Sequence, residues 1–353
     1  MPMKHAGAGN YAYATTRVKT RKAFLFSKET YLKLLQMEVP EISRFIEESK
    51  YKQEIDELAS KYTGIDLMEH ALNLNLSREY TQIVSFCEGE LKLLLGSYLM
   101  RWDVWNIKSI LRGKSYGASE DKIQETLVPA GSLDMHKLNE LIRKPTIPDV
   151  IEGLTGTIFY KPLTAGLDEY NKSHTLTDFE NNLDKVYYAI MLSQKIGATL
   201  ADELFLTYVK REVDFVNLRT LFRLKREGLE HDKIMAYMLP GGAKLTTEEL
   251  RKLAQTPSYD DFLNSLKETS YWNDISDAVQ KSQETGSLNA VEIALRKANI
   301  AYADKISHHY PLSITPILGY LIRKNTEVNN LRIIARGKES HLSDEVIRNQ
   351  LVI

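Results

Sequence analysis

The sequence predicts an all-α chain of three homologous helical domains, at residues 1–131, 132–243 and 244–353, set about a pseudo-threefold axis. Three observations carry this expectation. A nine-residue signature occurs three times, as NIKSILRGK (Asn106–Lys114), NLRTLFRLK (Asn217–Lys225) and NLRIIARGK (Asn330–Lys338), with asparagines 111 and 113 residues apart. That period is too long for a short solenoid unit and fits a small domain present three times over. Apolar residues recur at three-and-four spacing, and no alternating strand pattern of convincing length occurs.

The elements of each copy follow in order. Ser27-Lys28-Glu29 and Thr246-Thr247-Glu248-Glu249 read as helix starts ahead of apolar periodic runs. A leucine, a proline and an apolar pair come next: Leu35/Pro40/Phe45-Ile46, Leu141/Pro145/Val150-Ile151 and Leu253/Pro257/Phe262-Leu263, the pair five residues past the proline each time. A short helix pair with a proline break is therefore expected. Two longer helices should follow, the first carrying Glu69/Leu72, Glu180/Leu183 or Glu292/Leu295. The second carries the signature. From Asp202 to Lys225 its apolar positions include Leu204, Phe205, Tyr208, Val209, Val213, Leu221 and Leu224, the stripe of an amphipathic helix. Gly228 follows the basic end, where a C-cap belongs. Beyond the signature, Asp121-Lys122-Ile123 matches Asp232-Lys233-Ile234, and both lead to proline-glycine turns, Pro129-Ala130-Gly131 and Pro240-Gly241-Gly242. Glu345-Val346-Ile347 holds the same place in the third copy, ahead of Leu351-Val352-Ile353.

Bulk composition excludes several classes. With 46 basic and 47 acidic residues, nothing steers the chain toward nucleic acid or an anionic membrane surface. The single cysteine, Cys87, rules out an internal disulfide and fits a reducing compartment. The opening residues lack the apolar core of a secretory signal. The stretch Ile306–Ile322 is free of Lys, Arg, Asp and Glu but holds two histidines and two prolines, too short and broken to span a bilayer. A soluble, cytoplasmic chain is expected, free to dock on something held in a membrane.

The signature asparagines stand inside a helix, where Asn is a mediocre former. An acidic residue lies three positions before each: Asp103, Asp214 and Glu327. The bland reading is a buried polar link, through an i, i+3 hydrogen bond, that holds two helices in register; the other is a ring of three ligand-binding asparagines around one axis. The Arg-x-Lys pairs suit helix C-termini, and the Glu69, Glu180 and Glu292 carboxylates are candidates to pair with them across helices. No catalytic motif emerges. A P-loop is missing, and the eight histidines lack the i, i+4 spacing of a helical zinc site. His308-His309, Glu230-His231-Asp232 and Cys87 are weak candidates, so no catalytic, cofactor-binding or metal residue is expected.

With these residues in view, the chain resembles the C subunit of archaeal A-type ATP synthases, the counterpart of the d subunit in vacuolar-type ATPases. The likeness rests on the threefold signature, on YLIRKNTEVNNLRIIARGK at Tyr320–Lys338, and on the tyrosine-rich opening Tyr11–Lys19 with its Arg17-Val18-Lys19. The resemblance implies a funnel of three similar domains, a non-catalytic central-stalk rotor part without cofactor. Its wide face would cap the proteolipid ring, its socket would receive the shaft of the D and F subunits, and it would pass torque between ion flow and ATP synthesis or hydrolysis. One copy per complex, peripheral to the membrane on the cytoplasmic side, is implied. A three-domain helical scaffold that recruits partners outside an ATPase, and an enzyme using a central cavity, are the alternative readings.

Overall fold

The computed structural model describes residues 7–194 and 199–353, and among these every regular element is helical, with no strand. The chain forms two compact units. The first comprises residues 7–14 and 37–194 of those described; the second comprises 15–36 and 199–353. The Tyr11–Lys22 helix carries residues of both.

The same capping devices recur at matching points of the sequence. Ser27, Asp134 and Thr246 each accept a backbone N–H three residues on, at 3.3, 2.8 and 3.2 Å, and start the helices Lys28–Leu34, Met135–Ile142 and Thr247–Gln255. A side-chain acceptor there satisfies an amide that has no partner within the helix. The next helices, Val39–Glu47, Ile147–Glu152 and Tyr259–Leu266, begin after Glu38, Thr146 and Ser258. This capping register corrects the proline alignment. Pro40 lies inside its helix, as Pro148 does, whereas Pro145 and Pro257 precede their caps. Proline fits the first turn of a helix because its missing N–H has no intrahelical role there.

The long helices carry the cores. In the first unit Gly64–Phe86 buries Met68, Leu72, Leu76 and Ile83. The expected signature helix of the first copy is broken at Met100 into Gly89–Leu99 and Arg101–Ser115. The Tyr187 hydroxyl donates to the Tyr98 carbonyl at 3.1 Å, and Arg101 donates to the same oxygen. Side chains inserted into the helical hydrogen-bond ladder produce such a break. In the second unit Leu200–Arg226 is continuous and packs Phe222 against Phe262, ring centroids 5.2 Å apart and edge-on, within a cluster that includes Leu250, Leu266, Ile275 and Val291. Each such side chain contributes roughly 1.5–3 kcal/mol on burial. The third signature helix spans Thr315–Glu339.

All three signature helices end on a left-handed residue. Gly117 and Gly228 take φ of 67° and 73°, and His341 holds the same place at 54°. The next amide in each case reaches back to the carbonyl of Gly113, Leu224 or Gly337, at 2.8, 3.1 and 2.9 Å. That is the closing bond of a Schellman motif.

Candidate functional site

The signature residues form a clasp, and its geometry is the same three times. Asn106, Asn217 and Asn330 are almost wholly buried. The Asn106 amide donates to the Val128 carbonyl and accepts the Val128 N–H, both at 2.8 Å. Asn217 does the same with Leu239, both at 2.8 Å, and Asn330 with Val352, both at 3.0 Å. In every copy the partner lies 22 residues downstream. A primary amide presents an N–H donor and a carbonyl acceptor side by side, so it can satisfy both polar groups of a single non-helical residue. Helix propensity is given up to close off two buried backbone groups.

This differs from the expected i, i+3 bond to the preceding acid and from a link between two helices. Each asparagine ties its helix to a non-helical segment instead. The acids cap the chain beyond that segment. Asp103 accepts from Ser132 N, Ser132 Oγ and Leu133 N, all at 2.8 Å. Asp214 accepts from the amides of Ala243, Lys244 and Leu245 at 3.0, 2.7 and 3.1 Å, and from the Tyr271 hydroxyl at 2.6 Å. Burial outweighs these bonds and raises both carboxyls above their ordinary range. Gly131 and Gly242 make the approach possible, since a Cβ on either would stand 2.2 or 1.9 Å from a carboxylate oxygen.

Glu327 performs the same office on a different stretch of chain. Its carboxylate accepts from Phe26 N at 2.6 Å, one residue before the Ser27 cap, as Leu133 precedes Asp134 and Leu245 precedes Thr246. The third signature helix is thus completed by the N-terminal segment within the second unit. A buried ion pair with Lys324, 2.9 Å long, partners the other Glu327 oxygen. The repeat pattern aligns the three acids but does not reveal this closure, because the bonded residues lie 301 positions apart. The one available sign was that the third acid is a glutamate.

The basic ends of the signature divide between roles. Arg112 and Lys108, one turn apart, bind Glu180 (2.6 and 2.7 Å) and Asp184 (2.6 Å), one turn apart on the Thr177–Ser193 helix. Glu180 therefore pairs across helices as anticipated; Glu292 instead lies 4.0 Å from Arg296 on its own helix. Lys225 donates to the carbonyls of Ala254 and Thr256, at 3.4 and 2.5 Å, and so caps the Thr247–Gln255 helix. Lys338 pairs with Asp344 at 2.7 Å.

The weak chemical candidates stay dispersed. His308 and His309 each hold a carbonyl of their own helix through Nδ1. His231 lies 3.1 Å from exposed Asp232, and among the described residues no third group joins them. Burial pushes the Cys87 thiol up to about 12, away from the thiolate a nucleophile needs. No cluster of three metal-ligating residues occurs among the described residues, and none of their helices is long and apolar enough to cross a membrane.

Known proteins are similar to this chain over nearly its whole length. The family model for the ATP synthase (C/AC39) subunit matches residues 14–350. The C subunit of the A-type ATP synthase of Methanococcoides burtonii is 45% identical over 354 residues, covering 99% of this chain and 97% of the relative. That of Methanosarcina acetivorans is 46% identical over 353 residues, covering 99% and 95%. That of Haloferax volcanii is 35% identical over 351 residues, covering 99% and 100%.

Proposed function

Because this chain belongs to the ATP synthase (C/AC39) subunit family, we propose that it is the central-stalk rotor piece of an A-type or V-type-like ATP synthase. In this reading it joins the proteolipid membrane ring to the shaft of the D and F subunits. Torque passes through it between ion translocation and ATP synthesis or hydrolysis. It performs no chemistry of its own, needs no cofactor and stays peripheral to the membrane on the cytoplasmic side, held there by the ring, one copy per complex. Its three homologous domains, 1–131, 132–243 and 244–353, stand about a pseudo-threefold axis and make a funnel whose socket receives the shaft.

The observation that carries this reading is the clasp itself. A torque transmitter must not yield at its joints, and each copy locks the segment after its signature helix with two buried hydrogen bonds, while its acid holds the chain just ahead of a helix cap. Buried, fully satisfied polar networks fix one arrangement, because any slip leaves a donor or acceptor unpaired in a low dielectric. The third acid, Glu327, reaches Phe26 rather than the chain that follows its helix, which supports a cyclic relation among the copies. Cooperative assembly with large permanent contacts, upward of roughly 2,000 Å² in total, suits such a part.

The test is reconstitution. The full chain is mixed with detergent-solubilised proteolipid ring and with a D/F complex, and bound species are isolated and cross-linked. Binding to both, with cross-links from separate surfaces, is expected. Failure to bind either partner, with both partners intact, overturns the rotor assignment.

A further inference from the structure

The Asn330 clasp differs from the other two in what lies beside it. It joins Val352 to a helix whose acid holds Phe26, and a cavity of about 450 Å³ opens along these residues and the Asn289–His309 helix. That volume is within the range of small-molecule sites, roughly 300–1,000 Å³. Leu25, Phe26, Ile300 and Ala301 give the cavity an apolar lining.

Its charges are unevenly matched. Asp304 is bridged by both Lys22, at 2.9 Å, and Arg323, whose Nε donates at 3.1 Å. Burial opposes its ionisation, yet these two cations hold its carboxyl below the ordinary range. Glu327 is taken up by Lys324 and Phe26 N. The lining lysines, Lys28 and Lys297, have no carboxylate within ion-pair distance among the described residues. Lys297 instead feels partial burial and the like charges of Lys28 and Lys281, all of which disfavour its ammonium form. Like charges gathered beside an apolar cavity attract an anion and repel a cation.

We propose that this cavity is a binding site for an amphipathic oxyanion, a phosphate or carboxylate head on a short apolar body, with the head between Lys28 and Lys297 and the body on Phe26 and Ile300. A bound molecule touches the N-terminal segment and the two long helices it packs on. Occupancy therefore stabilises the closure of the third clasp by mass action. Nothing in this depends on the rotor assignment, and the measurement below uses the isolated full chain, so the two readings fail separately.

The experiment is calorimetric titration of the full chain with hexyl phosphate, hexanoate, inorganic phosphate and hexanol. At least one of the two amphiphiles is expected to bind, at least about tenfold more tightly than phosphate or hexanol alone. The tighter of the two identifies the head as phosphate or carboxylate. Lys297→Gln, which removes charge at an exposed position, should weaken binding about tenfold, and Ile300→Trp, which fills the cavity, should weaken it at least as much. No binding of either amphiphile up to about 10 mM overturns the site. So does equal affinity for hexanol, or for phosphate alone, or binding that both variants leave unchanged.

Discussion

Replacing Asn217 by leucine removes one clasp while keeping the branched skeleton of the side chain and improving helix propensity, so the main loss is hydrogen bonding. Wild-type Asn217 is 1% exposed and makes two bonds of 2.8 Å to Leu239. In Asn217→Leu the Leu239 N–H and C=O are both left buried and unpaired. Each orphan costs about 1–3 kcal/mol. The leucine side chain returns roughly 1.5–3 kcal/mol of transfer energy where it packs well. A net loss of about 0.5–3 kcal/mol remains when the segment cannot rearrange to reach water. Global unfolding of a chain with two units is a poor gauge, so the assay is amide hydrogen exchange resolved to the Leu239 segment. Protection of the Leu239 amide should fall about 2- to 150-fold, while the Val128 amide, held by Asn106, keeps its rate. Unchanged protection at Leu239 would refute the clasp, since the bonds then contribute nothing beyond what leucine packing supplies.

Four further outcomes are expected. Gly242→Ala drives a Cβ to within 1.9 Å of the Asp214 carboxylate and should destabilise the second unit by about 1–3 kcal/mol, read as a lower urea midpoint for amide exchange within that unit. His341→Gly relieves a left-handed non-glycine residue at φ 54° and should stabilise the chain by about 0.5–1 kcal/mol; Gly228→Ala, at φ 73°, should move the midpoint the other way. The Asp103 carboxyl should titrate above the ordinary aspartate value, because burial outweighs its three accepted hydrogen bonds. Its ionised form then costs stability: the cost is absent below the unfolded pKa, grows as pH rises toward the native pKa, and is complete above it. Carbon-detected NMR titration checks the direction, and a native value below the ordinary one contradicts it.

What could be read from the residues was whatever the chain writes locally. Helix starts at Ser27 and Thr246 rest on a side chain reaching three residues ahead, and both are found as capped starts. The Asp202–Lys225 periodicity gave the Leu200–Arg226 helix to within two residues at each end. Prolines misled, because Pro40 and Pro145 look alike in spacing while only the capping register distinguishes a first-turn proline from one before the cap. The break at Met100 was invisible for a related reason. It depends on a hydroxyl from Tyr187, 89 residues away from the carbonyl it takes.

Sequence alone determined that this protein is helical, that one pattern is present three times, and that the pattern resembles an ATP synthase subunit family. Those properties follow from periodicity and repetition, which survive in one dimension. Only the tertiary structure decided what the pattern does. An asparagine in a helix has no legible partner until the fold brings a residue 22 positions later against it. The acids three residues earlier are equally mute until loop amides converge on them. The closure of the third copy on Phe26 lies furthest from the sequence's reach. Hydrogen bonds act over about 3 Å in space, and no local rule of the chain specifies which residues, 301 positions apart, will meet at that distance.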